Sequence, residues 1–87
     1  MAKKTVVFKC KAPEARRVNV CGSFNNWNPA GIEAKKDPRG NWSVSVSLNP
    51  GRYEYKFVID GAWRNDPNAR ESVPNNIGSA NDVLVVK

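Results

Sequence analysis

The sequence contains no histidine and only two cysteines, Cys10 and Cys21. Without histidine, a Ser-His-Asp or Cys-His catalytic arrangement and an imidazole metal ligand are excluded. Two cysteines cannot complete a zinc site alone, and we predict neither a metal nor a cofactor. If segments 4–10 and 16–22 pair through the short 11–15 connection, the cysteines lie at different levels of the sheet, too far apart for a disulfide. We therefore expect two reduced, mostly buried thiols.

Long hydrophobic runs are also lacking. No apolar stretch approaches the roughly 18 to 20 residues of a membrane span, and the apolar run after Lys3 and Lys4 is too short for a signal peptide. We expect no membrane partner and a cytoplasmic location. The 87 residues predict a single small domain over 1–87, with its core at about 5–87.

The chain has only 8 acidic residues against 14 lysines and arginines, which gives a formal net charge of +6. A basic chain can bind a polyanion, but solubility explains the same charge. An oligonucleotide-binding barrel would interleave aromatic and basic side chains along the strands of one face. The basic residues here crowd the first half of the chain among few aromatics. The nucleic-acid hypothesis rests on charge alone, predicts a steep salt dependence, and is not favoured.

No segment has a helical period, whereas alternation of apolar and polar residues is widespread. It predicts half-buried strands at 4–10, 16–22, 41–48, 52–60 and 82–87. Turn sequences stand at 37–40 and 49–51, and Asp60-Gly61 predicts a hairpin that returns the chain to a short segment around Trp63. The pattern predicts an all-β fold, a small antiparallel sandwich. Residues 66–81 lack regular patterning, which is typical of a functional or mobile connection.

The three tryptophans differ in their surroundings. Trp42 stands in a clean strand alternation and is predicted to lie in the core. Trp27 follows an Asn pair and Trp63 follows a turn, so each is either a partly buried plug or a platform for a ligand. On the 52–60 strand, Phe57 belongs to the core face, and Lys56 points outward, where a lysine is usually solvated.

Two such tryptophans with asparagines and a lysine nearby favour a sugar as the ligand. A pyranose has a face of C–H groups that can lie on an indole. Its hydroxyls donate and accept hydrogen bonds, which an Asn amide matches with both functions and a lysine with three donors.

Three segments carry a resemblance: VNVCGSFNNWNP (18–29), GRYEYKFVIDGAWRNDPN (51–68) and NNIGSANDVLVVK (75–87). Together they resemble the glycogen-binding domain of the AMP-activated protein kinase β subunit and, more broadly, carbohydrate-binding module family 48. The resemblance covers roughly residues 5–87. It implies an immunoglobulin-like antiparallel β-sandwich that binds α-1,4-linked glucans, such as glycogen, starch or malto-oligosaccharides, without catalysis.

The resemblance also implies a set of site residues. The stacking tryptophans fall on Trp27 and Trp63, and the hydrogen-bonding lysine and asparagine fall on Lys56 and Asn81. A family leucine that enters the ring of a cyclic glucan is replaced by Ile77, and a nearby threonine is replaced by Ser79. Ile77 keeps an apolar tip of different shape, and Ser79 keeps the hydroxyl.

A catalytic role is not expected. Asp60 and Asp66 are predicted to be the only acidic residues close to the sugar-binding face, and each has a structural role in a turn. A glycosidase needs two opposed carboxylates in a cleft. The alternative is an interaction or regulatory scaffold that has kept the fold with weak or no sugar binding, suggested by Ile77 and the crowded basic residues. Its partner would be a separate glycogen-metabolising or regulatory protein.

The chain ends after its last predicted strand. We therefore expect it to contain neither the assembly region of the kinase β subunit nor the catalytic barrel of the branching and debranching enzymes. A complete protein and an excised module both fit the sequence.

Overall fold

The alternating segments form strands in the computed structural model, which describes residues 3–28, 30–75 and 78–87. Because side chains of opposite polarity alternate along each segment, one face can be buried while the other meets solvent. A short 3₁₀ helix follows the second strand. In chain order the strands are β1 (Lys4–Lys11), β2 (Val18–Gly22), β3 (Ile32–Glu33), β4 (Lys35–Lys36), β5 (Asn41–Leu48), β6 (Gly51–Ile59), β7 (Ala62–Arg64), β8 (Glu71–Pro74) and β9 (Ala80–Val86).

The strands form two antiparallel sheets. The first sheet has the order β1-β5-β4, and the second has the order β3-β2-β6-β9-β8, with β7 also paired to β6. Core residues come from both sheets, among them Phe8 and Trp42 from the first and Val20 and Phe57 from the second. The predicted immunoglobulin-like antiparallel β-sandwich is therefore confirmed. Among the described residues, no helix is long and apolar enough to span a membrane.

The expected pairing of the first two strands is wrong. β1 pairs with β5, and β2 pairs with β6 in the other sheet, because the connection 12–17 carries the chain across the sandwich. The amide of Ala12 donates to the carbonyl of Gly40 within this crossing. Cys10 lies in the core between the sheets, whereas Cys21 lies on the opposite face of β2. Both are buried thiols, and the backbone of β2 separates them.

The core side of the sandwich follows the alternation. On β5, Trp42 and Leu48 are buried, and the serines between them are exposed. On β6, Tyr55 and Phe57 are buried on the core side. Phe24, from the 3₁₀ helix at Ser23–Asn25, is half-buried against this core, with its ring centroid 5.6 Å from that of Phe8.

The predicted hairpin at Asp60-Gly61 joins β6 to β7. Both residues have positive φ, 50° and 83°, as a two-residue turn between twisted strands requires. The Asp60 carboxylate also accepts hydrogen bonds from the backbone amides of Arg16 and Arg17, each at 2.9 Å. The turn that begins β7, and with it Trp63, is thereby fixed to the connection before β2.

The segment 66–81 is less irregular than its sequence indicates. Its middle forms β8, which pairs with β9 from Glu71 opposite Val83 to Pro74 opposite Ala80. β8 is short, mostly exposed and ends in proline, so periodicity does not reveal it. Its pairing brings Asn75 within hydrogen-bonding distance of Asn81 on β9.

Candidate functional site

One face of the second sheet gathers most of the predicted site residues, and we call it the outer face. It is the side of β6 opposite Phe57, and it carries Glu54, Lys56 and Val58. β7 places Trp63 directly opposite Val58, and β9 places Asn81 close enough to bond Glu54.

The loop after β2 places Trp27 over the outer face. The chain turns through Asn26 and Trp27, both at φ 57°, a conformation that few residues other than glycine and asparagine adopt readily. The Trp27 amide donates to the carbonyl of Gly22 at 2.9 Å, and the Gly22 amide donates to the Asn25 side chain at 3.0 Å. A Cβ on Gly22 would lie 2.5 Å from the Glu54 carbonyl oxygen, so only glycine fits here.

The two predicted platform tryptophans meet. The ring centroids of Trp27 and Trp63 are 6.4 Å apart, and their planes are inclined at 49°. Trp63 is 45% exposed, as predicted, while Trp27 is half-buried. The pair therefore presents a bent apolar surface to solvent instead of filling the core.

Lys56 points to the outer face as predicted, but it is not a solvated lysine. Only 7% of the residue is exposed, and its Nζ donates to Ser79 Oγ at 2.9 Å. The usual solvated state of an outward-pointing lysine does not apply here, because the segment before β9 brings Ser79 over the ammonium group. A bond to the serine uses one of three Nζ donors.

Asn81 is held on both sides of its amide. Its Nδ2 donates to Glu54 Oε1 at 3.1 Å, and its Oδ1 accepts from Asn75 Nδ2 at 3.1 Å. Asn75 also receives the backbone amide of Ser79 on its Oδ1 at 3.0 Å. Ile77, the remaining predicted site residue, lies outside the described residues.

A buried polar cluster lies on the core side of β9, beneath Asn81. Asp82 accepts hydrogen bonds from the backbone amide of Asp66 at 2.7 Å and from Asn65 Nδ2 at 3.2 Å. Asp66 in turn accepts the hydroxyl of Tyr55 at 2.6 Å. These contacts fix the loop after β7 to β9, so Trp63 and Asn81 are held relative to each other.

The acidic residues near the site are therefore more numerous than expected, because Glu54 and Asp82 join Asp66. Both were missed because neither the strand alternation nor the family resemblance assigned them a role at the site. Asp82 is 2% exposed, and its position between Asn81 and an apolar run was the available signal: a charged residue at a buried strand position needs partners.

Burial is the main cause of an upward shift in the pKa of Asp82, partly opposed by its hydrogen bonds and by the Lys56 ammonium. The Tyr55 pKa is also raised, by burial and by its bond to Asp66. Asp37, in the turn before β5, is shifted the other way, because the backbone amide of Asn41 and other donors hold its pKa below the usual value.

A pH titration should separate the two aspartates. The folded state retains a proton on Asp82 more readily than the unfolded chain does, so its contribution to stability is fully present below the unfolded pKa and is lost as pH rises through the folded value. The contribution of Asp37 has the opposite pH dependence: it is present above the unfolded pKa and is lost as pH falls through the folded pKa. Carboxyl carbon NMR should give a midpoint above about 3.9 for Asp82 and below it for Asp37. A midpoint at or below that value for Asp82 would contradict the burial argument.

Metal chemistry has no support in the described part of the chain, where no group of three or more cysteine or acidic side chains could hold an ion. The chemical groups of the outer face are two indoles, an ammonium, amides, a hydroxyl and the carboxylate of Glu54. They can stack on a flat apolar ligand face and hydrogen-bond its neutral polar rim.

Comparison with known proteins defines the class of this fold and site. The family model described as the glycogen recognition site of AMP-activated protein kinase matches residues 4–87. The chain belongs to this family of glycogen-recognition domains, and the resemblance found from the motifs is confirmed.

Individual relatives come from plants and animals. The chain is similar to rice Protein FLOURY ENDOSPERM 6, chloroplastic (Oryza sativa subsp. japonica), at 44% identity over 83% of this chain and 13% of that protein. It is 36% identical to Protein PTST homolog 2, chloroplastic, of Arabidopsis thaliana, over 83% of the chain and 13% of that protein. It is 32% identical to human 5'-AMP-activated protein kinase subunit beta-1, over 83% of the chain and 25% of that protein. The chain thus spans a minor part of these relatives. The cytoplasmic location stays a prediction.

Proposed function

We propose that the chain binds α-1,4-linked glucans without catalysing their conversion. The observation that carries the proposal is the inclined Trp27–Trp63 pair, which stands on the same sheet face as Lys56 and Asn81. Membership of the glycogen-recognition family supports the same ligand class.

The inclination of the two indoles favours an α-linked chain. Each pyranose offers a C–H face to an aromatic ring, and α-1,4 linkages curve the chain so that successive sugar planes are tilted. Two rings at 49° with centroids 6.4 Å apart suit two units of such a curved chain better than a flat ribbon. Trp27 and Trp63 are therefore assigned as the two walls of the platform.

Polar groups beside the rings would fix the sugar. Lys56 Nζ keeps two donors after its bond to Ser79 Oγ, and the Ser79 hydroxyl can still donate its own hydrogen. Asn81 keeps one Nδ2 hydrogen after its bond to Glu54. Ile77 is proposed, from the family resemblance alone, to add an apolar contact.

Sugar titration tests this function. Maltoheptaose or a cyclic α-glucan added to the wild-type protein should saturate a change in tryptophan fluorescence, with little dependence on salt because the ligand is neutral. Trp63→Ala should lower the affinity roughly 5- to 150-fold, since an aromatic stacking partner contributes about 1 to 3 kcal/mol. The fold should persist, because Trp63 is 45% exposed and lies outside the core.

Val7→Ala is the matched control, because Val7 is a large apolar side chain, 50% exposed, in the other sheet. It should bind sugar as the wild type does. No saturation up to millimolar sugar would overturn the proposal and leave the scaffold alternative. Binding that falls steeply with salt would instead indicate a polyanionic ligand.

A further inference from the structure

The hydrogen bonds on the outer face form a closed circuit that begins and ends on β6. The Glu54 carboxylate accepts a hydrogen bond from Asn81 Nδ2, and Asn81 Oδ1 accepts one from Asn75 Nδ2. Asn75 Oδ1 accepts the backbone amide of Ser79. Ser79 Oγ in turn accepts a hydrogen bond from Lys56 Nζ. Glu54 and Lys56 are two residues apart on the same strand, so both ends of the circuit project from one face of β6, about 7 Å apart.

The groups at the two ends of this circuit fix the orientation of the Asn81 and Asn75 amides between them. An ionised carboxylate only accepts hydrogen bonds, so Glu54 must receive Nδ2 of Asn81. The amide oxygen of Asn81 is then forced towards Asn75, whose Nδ2 is the donor and whose Oδ1 is left for Ser79. At the other end of the circuit the Ser79 backbone amide can only donate, so it holds Asn75 Oδ1 towards Ser79, and both ends favour the same orientation of the Asn81 amide.

The same circuit holds the turn between β8 and β9. The amide of Asn75 donates to the Ser79 carbonyl at 3.1 Å, while the Asn75 side chain takes the Ser79 amide at 3.0 Å. The backbone and the side chain of Asn75 thus each bond the backbone of Ser79, the residue whose hydroxyl accepts from Lys56. Glu54 is connected to Asn75 through Asn81.

We propose that Glu54 is a positioning residue of the glucan site: by accepting Asn81 Nδ2 it fixes the Asn81 side chain on the outer face and, through the bond from Asn75 to Asn81, supports the placement of Ser79 over Lys56. The proposal rests on the proposed function and goes beyond it, because Glu54 itself makes no sugar contact in this role. The Glu54 side chain is 35% exposed and also lies 3.5 Å from Arg52, an exposed ion pair whose contribution to stability is small.

A double-mutant cycle in sugar affinity tests this role. Glu54→Leu should weaken binding of a cyclic α-glucan about tenfold, and Glu54→Gln, which keeps an acceptor oxygen, should restore affinity to within about threefold of wild type. In an Asn81→Ala background, Glu54→Leu should change affinity less than about twofold, because the two act through one contact. Arg52→Gln is the control and should bind as the wild type does.

A measurement made without sugar tests the role of Glu54 even in variants whose affinity is too low to determine. NMR of the Asn81 side-chain amide should show one Nδ2 proton shifted by its bond to the carboxylate, a shift lost in Glu54→Leu and kept in Arg52→Gln. Additive affinity losses for Glu54→Leu and Asn81→Ala, or an Asn81 amide unaffected by Glu54→Leu, would overturn the role of Glu54 alone. A wild type that binds no glucan would overturn the proposed function and this role with it.

Discussion

Replacing Trp42 by alanine should lower the free energy of unfolding by about 3 to 5 kcal/mol, the usual cost of removing a buried aromatic side chain. Trp42 is 7% exposed, and its indole N–H donates to the carbonyl of Ala12 at 2.9 Å. Alanine would leave a cavity between the sheets and would also remove the partner of a carbonyl in the crossing connection. Chemical denaturation of both proteins measures the difference.

Trp42→Phe and Trp63→Ala are the matched controls. Phenylalanine refills much of the cavity but lacks the indole donor, so its loss should be smaller than that of Trp42→Ala and still measurable. Trp63→Ala removes the same side chain from an exposed position and should change stability little. Equal losses for Trp42→Ala and Trp63→Ala would contradict the assignment of one to the core and the other to the surface.

Alternation predicted the strands and their core faces because burial on one side of a sheet is a local property of the sequence. Trp42 and Phe57 were correctly placed in this way, and the hairpin was correctly predicted from the Asp60-Gly61 turn sequence. Pairing between strands was not predictable by the same argument. β1 and β2 are neighbours in sequence, but the connection 12–17 crosses to the other sheet, and periodicity says nothing about such a crossing.

Alternation predicted the site only as far as the faces of single strands, whereas the family resemblance named its residues without their contacts. Alternation placed Lys56 on the outward side, but its burial depends on Ser79, 23 residues further along the chain. The contact between Glu54 and Asn81 spans 27 residues, and no local pattern marks either end. The short β8 that brings Asn75 to this face has no periodic signal. Contacts of this kind arise from tertiary packing.

Replacing Lys56 by methionine should separate sugar binding from stability. Methionine nearly preserves the buried volume, but the substitution also removes the attraction between the ammonium and the Asp82 carboxylate. Stability should therefore fall above the folded pKa of Asp82 and change little below it, where that carboxyl is protonated. Affinity for a malto-oligosaccharide should fall roughly 10- to 150-fold, since hydrogen bonds from a charged donor contribute about 1.5 to 3 kcal/mol. Fluorescence titration and denaturation measure the two quantities on one sample.

The same substitution has a second, independent signature at Asp82. The Lys56 ammonium lowers the pKa of this buried carboxyl, so its loss should raise the Asp82 midpoint above the wild-type value in the NMR titration. Lys9→Met, at an exposed position of β1, is the control and should alter neither the sugar affinity nor the Asp82 midpoint. A Lys56→Met protein with the expected Asp82 shift and wild-type affinity would show that Lys56 belongs to the folded structure and not to the binding surface. Lost affinity together with that shift, and with stability unchanged below the folded pKa of Asp82, would leave hydrogen bonding to the sugar as the role of the buried ammonium.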